Sequence, residues 1–167
     1  MQRMARAASG QERPTRASLR ETAGGGRRVG VVLVDHGSRK AESNAMLERF
    51  VEDYKERTGE ALVEPAHMEL AQPSISDAFA KCAQQGADTV VLSPFFLSPG
   101  RHWQEDLPAL ASDAASSLGV EWRLAHPLGT HPQLADVLFE RAHDALSDLP
   151  ASDAPAAAQG GTAVSSS

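Results

Sequence analysis

Three short segments of this 167-residue chain combine side chains able to handle a metal ion and an acidic ligand together. The first is Asp35-His36-Gly37-Ser38-Arg39, where an imidazole stands beside a turn-forming glycine and a permanent cation. The second is Glu64-Pro65-Ala66-His67-Met68-Glu69-Leu70-Ala71-Gln72-Pro73, with a carboxylate at Glu69 just past an apolar run. The third is Pro94-Phe95-Phe96-Leu97-Ser98-Pro99-Gly100-Arg101-His102-Trp103, which joins a flat apolar wall to a glycine, an arginine and a histidine. A neutral imidazole can bind a metal and also accept a proton, and its ordinary pKa suits both tasks near pH 7. Two such rings with a carboxylate can hold a divalent transition metal and leave positions open. These ligand types suit iron, cobalt, nickel or zinc and do not choose among them.

Each segment also has a structural reading, which the residues alone leave open. A histidine past a strand can simply pack, Glu69 can be a helix N-terminal partner, and the third segment can be a core strand entering a surface loop. Trp103 and Trp122 read as core packing, with contact to a flat ligand as the alternative. His67, His126 and His131 have no assigned role, and His143 reads as a solvated helix residue. Several competing chemistries lack their pattern. No HExxH, CxxC, EF-hand, P-loop or G-x-S-x-G motif is present. Gly24–Gly26 precede the first strand, whereas a dinucleotide fingerprint follows it. A histidine phosphatase places arginine directly before its nucleophile, and here Asp35 stands there.

A β-then-α alternation, repeated four times, must position these side chains. Residues 29–35 form a continuous apolar run, as in a strand buried on both faces of a parallel sheet. A helix follows with Met46, Leu47, Phe50, Val51 and Tyr54 on one stripe. A second strand lies near residues 61–66, and Ser74 with Asp77 resembles a capping pair opening a helix whose inner stripe is Ile75, Ala78, Phe79 and Cys82. The third strand covers residues 89–93, with a possible extension to Phe96. Pro108 is tolerated only in a first helical turn, which places the third helix start near Asp106 and leaves His102 in a loop. A fourth strand near residues 120–125 precedes a last helix running to about Leu146, with Leu134, Val137, Leu138 and Ala145 inward. The expected fold is α/β: an open parallel sheet of about four strands with flanking helices and right-handed crossovers. Ligands bind beyond the carboxyl ends of such strands. That rule gathers His36, His67, Glu69, Arg101, His102 and His126 at one sheet edge.

Composition narrows the class further. Residues 29–149 carry 19 acidic against nine basic side chains, which argues against nucleic acid as a ligand. No apolar run approaches the ~20 residues that span a bilayer. The lone cysteine, Cys82, excludes an intramolecular disulfide and a cysteine-rich zinc site, and reads as a buried small hydrophobe. Residues 1–28 hold seven arginines against two glutamates and have the composition of an organelle transit peptide, or of an ordinary disordered tail. Residues 149–167 are low-complexity. The expected division is therefore a transit-like segment at 1–28, one domain at 29–148 and a disordered tail at 149–167.

Asp35-His36-Gly37-Ser38-Arg39, residues 65–74 and residues 93–102 together resemble the class II chelatases, and among them the sirohydrochlorin ferrochelatases of plant and algal plastids. The likeness runs over about residues 29–148. It implies insertion of Fe2+ into sirohydrochlorin, giving sirohaem and two protons, without nucleotide or organic cofactor. It also implies a plastid location and a homodimer. The family's metal-binding histidines fall on His36 and His102, the first also a proton acceptor. Its tetrapyrrole contacts fall near Glu69 and along Leu97, Ser98, Pro99, Gly100, Arg101 and His102. Catalytic roles are thereby expected for His36, His102 and Glu69, with Glu69 relaying protons or positioning the ring. Arg39 and Arg101 are added from charge alone: a polycarboxylate ligand meeting an acidic body needs local cations. Cobalt insertion into the same ring and non-catalytic carriage of a metal or tetrapyrrole are the alternatives. Plant relatives carry a cysteine-containing C-terminal extension associated with an iron–sulfur cluster. This tail has no cysteine, so no cluster is expected.

Overall fold

A computed structural model of the chain describes residues 17–147. In chain order the elements are α1 (Leu19–Thr22), β1 (Val29–Asp35), α2 (Ala41–Thr58), β2 (Val63–His67), α3 (Ile75–Gln84), β3 (Thr89–Pro94), a π-helical turn (His102–Asp106), α4 (Leu107–Leu118), β4 (Glu121–Leu124), a 3-10 turn (Leu128–Thr130) and α5 (Gln133–Ser147). The four strands form one parallel sheet in the order β2-β1-β3-β4, as the repeated β-then-α pattern predicts.

Alternation along the central strand builds two apolar layers. Val32 and Val34 of β1 pack with Ile75, Ala78, Phe79 and Cys82 of α3 and with Leu107 and Ala111 of α4. Val31 and Leu33 face the other way, onto Leu47 and Val51 of α2. Helices cover both faces, so β1 can be apolar at nearly every position. Ser74 caps α3 in a full capping box with Asp77, and all four expected inner residues of α3 are buried. The α2 stripe is narrower than its periodicity suggests. Leu47 and Val51 are buried, but Met46 and Phe50 are exposed, with Phe50 meeting Phe95 ring to ring at 4.8 Å.

Residues 17–28 hold defined contacts. Leu19 packs on the α2 layer, its backbone N–H donates to Glu60, and Arg27 pairs with Glu121. Residues 1–16 and 148–167, where the expected tails fall, lie outside the described residues. From Pro132 onward the chain is a separate unit. Its helix, α5, was expected to turn Leu134, Val137, Leu138 and Ala145 inward, yet none of its residues is buried and Phe139 is 75% exposed. Amphipathic periodicity marks a face that can be covered, and it does not say by what.

Candidate functional site

The strand ends deliver the site. β1 stops at Asp35, and Gly37 then takes φ +80°, a conformation that favours glycine. A Cβ at Gly37 would overlap the Glu69 carbonyl oxygen, so this turn is packed directly on the segment after β2. Backbone bonds run on past the strands: Met68 N–H donates to Asp35 O at 2.9 Å, and Glu69 N–H to His36 O at 3.2 Å. Glu69 and His36 are thus neighbours through their main chains, and both side chains are exposed. Leu70 follows with φ +65°, and Ala71 N–H donates to Glu69 O at 2.8 Å, giving the hydrogen bond and positive φ of a γ-turn centred on a leucine.

His102 arrives from the third crossover. It does not lie in a loop, as expected, but opens the π-helical turn that leads into α4. Leu107 N–H bonds back to His102 O, five residues away. Pro108 has no N–H to donate, so the wider turn at this point forgoes no bond there. The turn swings the imidazole toward β1. The rings of His36 and His102 lie 5.2 Å apart, centroid to centroid, nearly edge to face at 81°. His36 also stacks on Phe96 at 4.1 Å and 21°.

The two imidazoles are held differently. His102 Nδ1 lies 2.7 Å from Asp106 Oδ2, which commits that nitrogen and leaves Nε2 for another partner. The His36 imidazole has no hydrogen-bond partner among the described residues, so both ring nitrogens are available. Trp103 extends the wall. Its indole N–H donates to Ala125 O at 3.0 Å, and its ring stacks on His126 at 5.8 Å. Leu97, Ser98, Pro99 and Gly100 are all exposed beside this wall. Their path is held by Gly129, whose N–H donates to Phe96 O and where a Cβ would overlap the Leu97 backbone.

His36, Glu69 and His102 therefore meet at the carboxyl edge of the sheet, as the strand-end rule predicts. Arg39 is exposed and unpaired among the described residues, and Arg101 is exposed with a loose pair to Glu105 at 3.7 Å. His67 is a different case: it is buried, with Nδ1 against Asp35. The sequence reading missed Asp106 and the Asp35–His67 pair. The i,i+4 spacing of His102 and Asp106 carried a signal for the first. No group of three or more His, Cys, Asp or Glu side chains poised for a metal occurs among the described residues. A separate open groove of about 820 Å3 along α2 and the β2 edge contains none of these site residues.

Comparison with known proteins points to one family. The CbiX family model matches residues 30–145. The chloroplastic sirohydrochlorin ferrochelatase of Arabidopsis thaliana is 56% identical over 121 residues, covering 72% of this chain and 54% of that protein. The chain thus matches about half the length of that relative. A sirohydrochlorin cobaltochelatase of Methanopyrus kandleri is 30% identical over 146 residues, covering 72% of this chain and 99% of that protein. Among solved structures, a CbiX protein from Marinobacter aquaeolei VT8 superposes with a TM-score of 0.65 at 30% identity, over 72% of this chain and 98% of that one.

Proposed function

The chain belongs to the CbiX family of class II chelatases, and from that premise we propose that it inserts Fe2+ into sirohydrochlorin to give sirohaem. The observation that carries this reading is the approach of His36 and His102 to 5.2 Å at the carboxyl edge of the sheet. Fe2+ is a substrate here, held by both imidazoles while its remaining positions stay open to water and then to the ring. Metallation removes two pyrrole N–H protons and several metal-bound waters. His102, with Nδ1 committed to Asp106, is the steady ligand through Nε2. His36, with both nitrogens available, is ligand and proton acceptor in turn. Glu69, joined to His36 by a backbone bond, passes protons outward or orients the ring. The tetrapyrrole lies along Leu97 to His102, and Arg39 and Arg101 meet its carboxylates. Bringing metal and ring into one cleft turns a three-body encounter into an oriented reaction.

The cobaltochelatase relative supports a second reading, cobalt insertion into the same ring, because imidazole ligands accept both metals. The transit-like N-terminus and the chloroplastic relative favour iron in the plastid stroma. A homodimer fits the exposed Val137, Leu138, Phe139 and Leu146 of α5, an apolar surface that a second copy would cover.

Purified protein mixed anaerobically with sirohydrochlorin and Fe2+ should metallate the ring faster than the protein-free mixture, and His36→Ala and His102→Ala should abolish the difference. Faster turnover with Co2+ would transfer the assignment to cobalt. Ring binding without metallation would replace the enzyme with a carrier.

A further inference from the structure

Asp35 ends β1 and His67 ends β2, and the parallel register sets them side by side. The His67 imidazole is fully buried. Its Nδ1 lies 2.5 Å from Asp35 Oδ1, while its Nε2 is buried with no partner among the described residues. The same Asp35 oxygen accepts the Gly37 N–H at 2.8 Å. One carboxylate therefore ties the turn that carries His36 to the strand end that carries Glu69. A buried nitrogen without a partner costs stability, and an apolar side chain would fill this space without that cost. Packing alone does not account for a histidine here, whereas the bond from Nδ1 does.

We propose that Asp35 and His67 are positioning residues, a buried clamp that fixes His36 and Glu69 relative to each other across the ends of β1 and β2. The proposal rests on the chelatase reading of His36 and Glu69. Neither clamp residue touches substrate. The clamp acts through geometry: Asp35 holds the Gly37 turn at φ +80°, which aims His36 at His102, and His67 holds Asp35. Without it the ring at position 36 samples other directions, and the alignment of metal, base and pyrrole nitrogen is lost.

The test compares His67→Leu with His67→Asn in the full chain, beside His36→Ala. Leucine fills the buried volume and donates nothing, whereas asparagine keeps an N–H donor near the Nδ1 position. With sirohydrochlorin and Fe2+, His67→Leu should lower kcat about tenfold or more with KM for the tetrapyrrole unchanged, and His67→Asn should restore most of the loss. Wild-type kcat in His67→Leu, or an equal loss in both variants, would overturn the clamp. If His67→Leu does not fold, Asp35→Ala against Asp35→Asn asks the same question, one losing the acceptor oxygen and the other keeping it. Equal activity of those two would likewise overturn it. Wild-type turnover in His36→Ala would instead sink the chelatase reading of the site. Titration with Co2+ alone, followed by its visible absorption, separates the two failures. Binding weakened in His67→Leu and restored in His67→Asn supports the clamp even where no turnover is seen, and equal binding in both overturns it.

Discussion

The Nδ1 atom of His102 and the Oδ2 atom of Asp106 lie 2.7 Å apart across the π-helical turn that opens α4. A carboxylate in this position fixes both the tautomer and the ring plane of an imidazole, and it raises the basicity of the other nitrogen. His36 has no such partner among the described residues. The first prediction follows from that asymmetry. Asp106→Ala should reduce metallation by about tenfold, chiefly through a higher KM for Fe2+, and Asp106→Asn should recover part of it because its amide oxygen still accepts. Unchanged iron kinetics in Asp106→Ala would show that His102 is oriented by its backbone alone.

Leu70 supplies the second prediction. A leucine at φ +65° is strained by about 1 kcal/mol or more, and its exposed side chain shows no packing that offsets this. The γ-turn it centres holds Glu69 O against the Gly37 turn. Leu70→Asn should therefore raise Tm and keep kcat, because asparagine accepts this backbone region more readily and preserves the turn that holds Glu69. Thermal melts and steady-state rates on the same preparation check both halves. A variant that is less stable or less active would refute the account.

Sequence patterns showed much of this fold because they report local rules. Residues 29–35 are apolar on both faces, Ser74 and Asp77 stand three apart before an apolar stripe, and Cys82 falls on that stripe. The convergence of His36, Glu69 and His102 followed from one topological rule about parallel strand ends. What escaped depends on pairing across the chain. Asp35 meets His67 only through the β1–β2 register, 32 residues apart in sequence. His102 joins a helical turn because a wide turn accommodates Pro108, whereas a regular helix pattern placed the helix start later. The exposure of Phe139 and Leu138 was illegible for a further reason: periodicity gives a helix a face but no partner.

Acid sensitivity gives the third prediction. The Ser74 hydroxyl, and then the Ser74 backbone N–H, hold the Asp77 carboxyl below its ordinary 3.8. A depressed folded value means that the carboxylate contributes stability which is full above the unfolded pKa and is lost as pH falls through the folded one. Solvent screens the pair, so the effect is modest. Ser74→Ala should lower Tm at pH 7, and its difference from wild type should narrow as pH falls from about 5 toward 2. A difference that stays constant with pH would mean that the cap acts without the Asp77 charge.

The last prediction concerns the one thiol. Burial, and then the negative charge of Glu64, push the Cys82 thiol up to about 12. Its side chain sits against β1 at Gly30, where an added Cβ would lie 2.9 Å from both Cys82 Cβ and Sγ. A neutral, enclosed thiol is a poor nucleophile because the thiolate is the reactive form. At pH 8 the folded protein should therefore resist an aromatic disulfide reagent, and denaturant should release one full equivalent. The residual native labelling should follow global opening, since α3 and β1 share the central core layer. Gly30→Ala should speed it by pressing α3 away from β1. Rapid labelling of the unmutated protein would mean that α3 separates from β1 locally. The strand ends would then lack the rigid footing on which the whole site depends.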